Sequence, residues 1–246
     1  MGLQRELTLA GNWLFRWRSF LPVAMVVCAF LAMLPLYPPQ HSGRRIEFLQ
    51  AVAVGISFLG LLIRVLTVGH TPAGTSGRNT REQIAETLNT TGIYSTVRHP
   101  LYLGNFLIGL GLAAITLNVW FVSVYILTFW LYYERIMLAE EAFLRSKFGD
   151  RFDEWAQVTP AFIPDLTNYS PPALRFSLRN VLRREHSAVL QIALVGSLLK
   201  FCGDTLDAGR IVFSIGWCLL LAAAIVLWAV LRGLKKHTRL LNVEGR

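Results

Sequence analysis

Apolar residues gather along this chain in six blocks, at 20–37, 48–68, 101–117, 118–138, 187–199 and 211–231, with the polar residues collected between them. The hydrocarbon core of a bilayer takes about 20 mostly apolar residues per helix, and fewer where a helix is anchored at its ends. The second block carries a single charge, Arg64, and the fourth carries Glu134 and Arg135 near its end; the others carry none. The fifth block is short, so it is either lengthened by Phe201 and Cys202 or re-entrant, and it pairs with the sixth as a hairpin around a polar turn at 203–209. Between the third and fourth blocks only Asn118 interrupts an apolar run from 101 to 133, which predicts a tight antiparallel helical hairpin. Such a hairpin delivers the residues before 101 and those after 138 to one surface. The pattern therefore predicts an all-α, polytopic membrane bundle of about six transmembrane helices, with 187–246 as a C-terminal hairpin and basic tail.

Composition agrees. Hydrophobic residues make up 54% of the 246 and charged residues only 16%, whereas soluble domains carry about 25% charged residues. The three cysteines, Cys28, Cys202 and Cys218, lie in or beside apolar runs without metal-ligand or disulfide-framework spacing, and no metal site is expected. The net charge of +9 is distributed by side. With the N-terminus inside, 18 of the 24 Lys and Arg fall in 1–19, 69–100, 139–186 and 232–246, and four fall in the opposite loops. Basic loops resist translocation, so a multi-pass protein with both termini cytoplasmic is expected. Arg5, Arg16 and Arg18 precede the first block, but its length and its Leu-Tyr-Pro-Pro ending favour a retained helix over a cleaved signal. Residues 171–186 place Leu174, Leu178, Val181 and Leu182 on one helical face and four arginines around the other, the pattern of an interfacial helix on anionic headgroups. Basic residues that flank membrane spans give no reason to expect nucleic acid.

The polar loops hold the candidate chemistry. Residues 92–104 read GIYSTVRHPLYLG, with Pro100 at a helix start. Arg98 and His99 thus stand beside a helix N-terminus, where free N–H groups favour an anion; snorkelling at the membrane surface is the plainer reading. At the far end of the hairpin come Glu140 and Glu141, then AFLRSKFGDRFDEW. Adjacent acids on a helix point about 100° apart, so each needs its own partner. Either they face Arg98 and His99, or they form a solvated helix end with Glu141 paired to Arg145. Glu134 shares a face with Glu141, and Arg135 or Arg64 could balance it. Gly74 to Asn79, including Arg78, offers backbone donors, hydroxyls and a guanidinium to a phosphate or carboxylate, or is an ordinary cytoplasmic turn.

RHPxYxG at the base of a tight hairpin, with Glu-Glu at its exit followed by Phe-Gly and aromatics, resembles the isoprenylcysteine carboxyl methyltransferase and phospholipid methyltransferase superfamily of integral-membrane enzymes. The likeness spans 88–164 and makes 1–186 the methyltransferase domain. The resemblance implies S-adenosylmethionine as cofactor, held in a cytoplasmic pocket by Tyr94, His99, Pro100, Tyr102, Gly104, Glu140 and Glu141. It implies catalytic roles for Arg98 and Glu141, and substrate contacts from Arg98, with Arg78 and Asn79 as further candidates. The implied acceptor is a membrane lipid or a lipidated small substrate, first an isoprenylcysteine carboxylate and alternatively a phospholipid amine. Phe152 and Trp155 stand where the family often has Tyr. Two other classes remain: an NADPH-dependent sterol reductase of related fold, whose motif resembles Arg-His-x-Asn-Tyr where this chain has Arg98-His99-Pro100-Leu101-Tyr102, and a non-catalytic membrane scaffold.

Overall fold

The computed structural model describes residues 2–18, 20–33, 43–72, 85–243 and 245. Among them the chain forms eight α-helices: α1 Leu3–Trp17, α2 Leu21–Met33, α3 Arg44–Gly69, α4 Pro100–Ala114, α5 Val119–Phe148, α6 Asp150–Val158, α7 Leu178–Ala208 and α8 Ile215–His237. Helices α3, α5, α7 and α8 are long and apolar enough to cross a membrane, and α4 is apolar but has only 15 residues. At 1.5 Å per residue α4 extends about 22 Å, short of a bilayer core of about 30 Å. Helix α2 has 13 residues, and 34–37 of the first expected span lie outside the described residues. Four spans are thus evident by length, and a count of six depends on α2 and α4.

The hairpin of α4 and α5 turns where the sequence places it. Asn118 caps α5, its side chain accepting from the amides of Trp120 and Phe121 at 3.0 and 3.1 Å. A side-chain acceptor at this position satisfies amides that no preceding turn can serve. Leu117 before it takes φ 51°, a left-handed residue that closes the turn. Helix α5 continues past the apolar block to Phe148, so Glu140 and Glu141 sit on rigid helix.

Glycines set the closest helix crossing. A Cβ on Gly60 of α3 would lie 2.5 Å from the Gly104 carbonyl oxygen, and one on Gly111 of α4 would lie 2.3 Å from the Ala53 oxygen. The backbones of α3 and α4 therefore touch, which small residues permit in a lipid-embedded bundle. Gly109 instead faces α5, where its missing side chain admits the Tyr125 hydroxyl. Helix α1 lies along α5: Gly11 abuts the Arg135 carbonyl, and Phe15 joins Phe129, Tyr132, Tyr133, Ile136 and Met137 in the aromatic core.

Two expectations for the C-terminal region change. The segment 171–186 is no separate surface helix: from Leu178 it is the first part of the 31-residue α7, begun at Ser177, whose hydroxyl accepts from the Asn180 amide. The reason is polar. Asn180, Glu185 and His186 are buried, and Asn180 donates to the Val68 carbonyl of α3 at 2.9 Å, so this stretch is pinned into the bundle. The turn expected at 203–209 begins only at Gly209, a left-handed residue with φ 61°; Gly203 is buried within α7. The division at 186/187 accordingly falls inside one helix.

Overpacking a tight crossing typically costs 1–3 kcal/mol, roughly. Gly60→Val should lower the thermal midpoint of the detergent-solubilised protein by several degrees. Gly233→Ala, in open space on α8, should leave it unchanged or slightly raised. Equal melting of the two variants would mean that α3 and α4 do not meet at backbone distance.

Candidate functional site

Pro100 opens α4 at its first position, with His99 as the residue before it. Their neighbours upstream are stitched to the segment after α6. The Arg98 and His99 amides donate to the carbonyls of Pro160 and Ala161 at 2.9 and 3.2 Å, the Asp165 amide donates to Thr96, and the amide of Gly92 donates to Ser170. Gly92, with φ 64°, and Gly149, with φ 54°, make the two turns that no other residue makes without strain. Gly149 ends α5 and starts α6 at once, folding α6 back toward the start of α4.

Glu141 is the hub. Its Oε1 accepts from Arg98 Nε at 2.9 Å and from His99 Nε2 at 3.0 Å. A carboxylate can only accept, so the imidazole presents N–H at Nε2. Arg98 Nη1 also donates to the carbonyls of Ala156 and Thr159 at 2.6 and 2.9 Å, which are at the end of α6. One guanidinium therefore ties α5, α6 and the start of α4 together. The expected alternative pairing of Glu141 with Arg145 does not form: Arg145 pairs with Asp153 at 2.6 Å.

Glu140, one residue earlier and turned by about 100°, has different company. It lies 3.8 Å from His99 Nδ1, and its charge acts on the Tyr102 and Tyr94 hydroxyls. Its side chain is 33% exposed against 16% for Glu141. Tyr102 stacks on His99 with ring centres 5.6 Å apart and meets Tyr133 at 5.0 Å. Tyr94, in a 3₁₀ turn at Ile93–Ser95, is held by Trp155, whose Nε1 donates to the Tyr94 carbonyl at 3.1 Å. Burial, and then the Glu140 charge, hold the Tyr94 hydroxyl protonated far above neutral pH. Phe152, which replaces a possible Tyr, is wholly buried and packs edge-on against Trp155.

Tyr94, Arg98, His99, Pro100, Tyr102, Glu140 and Glu141 are thus one cluster. Gly104, expected in the same pocket, is not part of it. It lies on the face of α4 turned to α3, where a Cβ would sit 2.5 Å from Arg64 Cγ. Arg78 and Asn79, with the rest of the 74–79 loop, lie outside the described residues.

Arg64 does not balance Glu134, and Arg135 donates to the Leu131 carbonyl of its own helix. Instead Arg64 donates to both carboxylate oxygens of Glu185 on α7, at 2.8 and 2.9 Å, and to Asn105 Oδ1 at 2.5 Å. Sequence reasoning missed Asn105 and Glu185. Their signal was the lone Arg64 in an apolar helix, which needs a buried acid on another helix. Among the described residues no group of three or more His, Cys, Asp and Glu could hold a metal ion.

The phospholipid methyltransferase family model matches residues 49–151, from within α3 to the start of α6. The chain is 34% identical over 129 residues to the nickel-cobalt-cadmium resistance protein NccN of Alcaligenes xylosoxydans xylosoxydans, covering 52% of this chain and 57% of that one. It is 46% identical over 83 residues to the cobalt-zinc-cadmium resistance protein CzcN of Cupriavidus metallidurans, covering 34% and 38%. It is 36% identical over 77 residues to the protein-S-isoprenylcysteine O-methyltransferase of Schizosaccharomyces pombe, covering 31% and 33%. The chain thus spans between about a third and three-fifths of the length of these relatives. No solved structure matches. The superfamily resemblance carried by the RHPxYxG and Glu-Glu motifs is borne out, and the cluster lies at the two ends of the matched hairpin.

Arg98→Lys keeps the charge but cannot serve Glu141 and two carbonyls in the fixed geometry of a guanidinium. We expect a loss of about 2 kcal/mol, read as a lower thermal midpoint, with earlier proteolytic cleavage between α5 and α7. Unchanged protease resistance would mean that Arg98 does not fasten α6.

Proposed function

We propose that this chain is a membrane methyltransferase that uses S-adenosylmethionine to methylate a lipidic or lipidated acceptor, with an isoprenylcysteine-type carboxylate as the acceptor class. The observation that carries the reading is the unequal treatment of two adjacent acids. Glu141 is neutralised by Arg98 and His99, whereas Glu140 has no Lys or Arg within ion-pair distance among the described residues and is the more exposed of the two. A partly exposed carboxylate beside aromatic rings suits a cationic ligand. The cofactor carries an ammonium and a sulfonium, together with an adenine that can lie on an aromatic face, so the residues present fit it.

The bound cofactor would supply an activated methyl group for in-line displacement. What the chain must then do is align and exclude water, and no covalent nucleophile is required. Glu140 holds the positive end of the ligand. Tyr102, fixed by its stack on His99, and Tyr94, fixed through Trp155, form walls on either side. Arg98 has Nε and Nη1 committed, so its Nη2 edge is the part that an anionic acceptor group could engage. A carboxylate acceptor is already a nucleophile at neutral pH, whereas an amine must first lose a proton; that favours the carboxylate. The relatives named as isoprenylcysteine O-methyltransferases support the same choice, and the intact Arg98-His99-Pro100-Leu101-Tyr102 sequence supports methyl transfer over reduction. The basic residues flanking the helices support a multi-pass protein of six spans, with both termini and the cluster facing the cytoplasm.

Purified protein in detergent should bind S-adenosylmethionine, and Glu140→Gln should weaken binding at least tenfold; His99→Ala should also weaken it by loosening Tyr102. Binding of a nicotinamide nucleotide in place of S-adenosylmethionine would overturn the reading. Labelled methyl groups should then pass to a prenylated cysteine in preference to phosphatidylethanolamine. The reverse preference would make the amine the acceptor. Reporter fusions at the two termini should both report the cytoplasmic side.

A further inference from the structure

The stretch after α6 differs from the polar segment that contains it. All seven Lys and Arg of 139–186 lie before 152 or after 174, and 155–164 carries no charge of either sign. Large apolar side chains there point away from the protein: Val158 is 64%, Ile163 80% and Leu166 76% exposed. A loop free to move in water would turn such residues inward. This loop is not free. The carbonyls of Val158 and Thr159 accept from the side chains of Asn168 and Arg98, those of Pro160 and Ala161 accept from the amides of Arg98 and His99, and the Asp165 amide donates to Thr96. Its outward apolar face is therefore fixed.

Phe162 shows where that face lies. Its ring meets Phe106 of α4 and Trp130 of α5 edge-on, with centres 5.7 and 5.4 Å apart, and lies 6.2 Å from Phe129. Phe106 comes six residues after Pro100, so at 1.5 Å per residue the ring sits about 9 Å past the start of α4, toward the middle of the bundle. Trp130 lies within the apolar block of α5, on a face where Leu127, Trp130 and Leu131 are all exposed. Such a face on a helix long enough to span a bilayer meets lipid. Phe162 and its neighbour Ile163 continue it. Irregular backbone is tolerated at membrane depth only where its polar groups are paired. Here four consecutive carbonyls are paired, and Pro160 and Pro164 have no N–H to satisfy. Asp165, Thr167 and Asn168 then bond one another in a polar turn that suits the return to the headgroups.

We infer that 158–166 is a re-entrant loop seated in the leaflet at the open end of the α4–α5 hairpin, with Ile163 among lipid acyl chains. The expectation that 139–186 lies wholly in water is to that extent replaced. Because the same loop holds the amides of Arg98 and His99, the candidate site is fastened directly to an element that faces lipid. The inference needs α5 to span the bilayer and is independent of what the site binds.

A single nitroxide label is placed at Ile163→Cys, at Leu127→Cys on the exposed face of α5, or at Glu154→Cys on α6, in protein whose three native cysteines are replaced by alanine, reconstituted in phosphatidylcholine vesicles. Labels at 163 and 127 should collide mainly with oxygen, which concentrates in lipid, and should be at least fivefold less accessible to a water-soluble nickel chelate than the label at 154. Equal chelate access at 163 and 154 would overturn the inference. So would shielding of 163 from both reagents, as a second copy or another protein seated on the loop would produce. If the cysteine-free protein fails to fold, wild type in nanodiscs carrying phosphatidylcholine with a photoreactive group in its acyl chain carries the test. Adducts should then map to 158–166 as well as to α5, and adducts confined to the spanning helices would overturn the inference.

Discussion

A carboxylate placed where a membrane helix leaves the bilayer has to find a cation, and Glu141 finds two. Its single oxygen Oε1 takes hydrogen bonds from Arg98 and from His99, which are consecutive in sequence but leave the backbone in different directions because Pro100 begins a helix after them. That shared acceptor closes the α4–α5 hairpin at its open end, opposite the Asn118 turn. Arg98 then has donors left over, and these capture the carbonyls at the end of α6. Everything in the cluster follows from that closure: the stack of Tyr102 on His99, the fold-back at Gly149, and the backbone bonds that join 92–99 to 160–170.

The membrane limits how this can be built. In a low-dielectric bundle an unpaired charge is costly, and breaking a buried pair is worse than never having made it, at roughly 3–5 kcal/mol. Arg64 is tolerated in α3 because Glu185 reaches it from α7, and the approach of α4 that brings Asn105 within reach depends on Gly60 and Gly104 having no side chain. Gly104, part of the RHPxYxG motif, thus has a packing role: it lets α3 in.

Much of this was legible in the chain. The helical hairpin, its turn at Asn118, the meeting of Arg98 and His99 with the Glu-Glu pair, and the helix start at Pro100 follow from an apolar run, one polar interruption and a proline. What was hidden falls into two kinds. Partners that are backbone carbonyls, such as those of Ala156 and Thr159, leave no trace in residue identity. The extension of α7 back to Leu178 was masked because its arginines read as a membrane-surface stripe, while the residues that decide its burial, Asn180, Glu185 and His186, are polar. Hydropathy marks polar residues as surface unless their partner is known, and here the partner lies on α3, more than a hundred residues away.

The same reasoning explains why two adjacent glutamates are useful where one would not be. A single acid facing Arg98 and His99 would be consumed in holding the fold, and a ligand that displaced either partner would open the hairpin. With the second acid turned by about 100°, the charge that holds the fold and the charge proposed to hold a ligand sit on consecutive residues of a rigid helix. They remain coupled through His99, which meets Glu141 with Nε2 and lies near Glu140 with Nδ1. Glu141 fixes the imidazole, the imidazole fixes Tyr102 by stacking, and the Tyr102 hydroxyl lies in the field of Glu140. The charge that secures the fold therefore stands next to the charge left for the proposed ligand, and a cation at Glu140 would displace neither Arg98 nor His99 from Glu141.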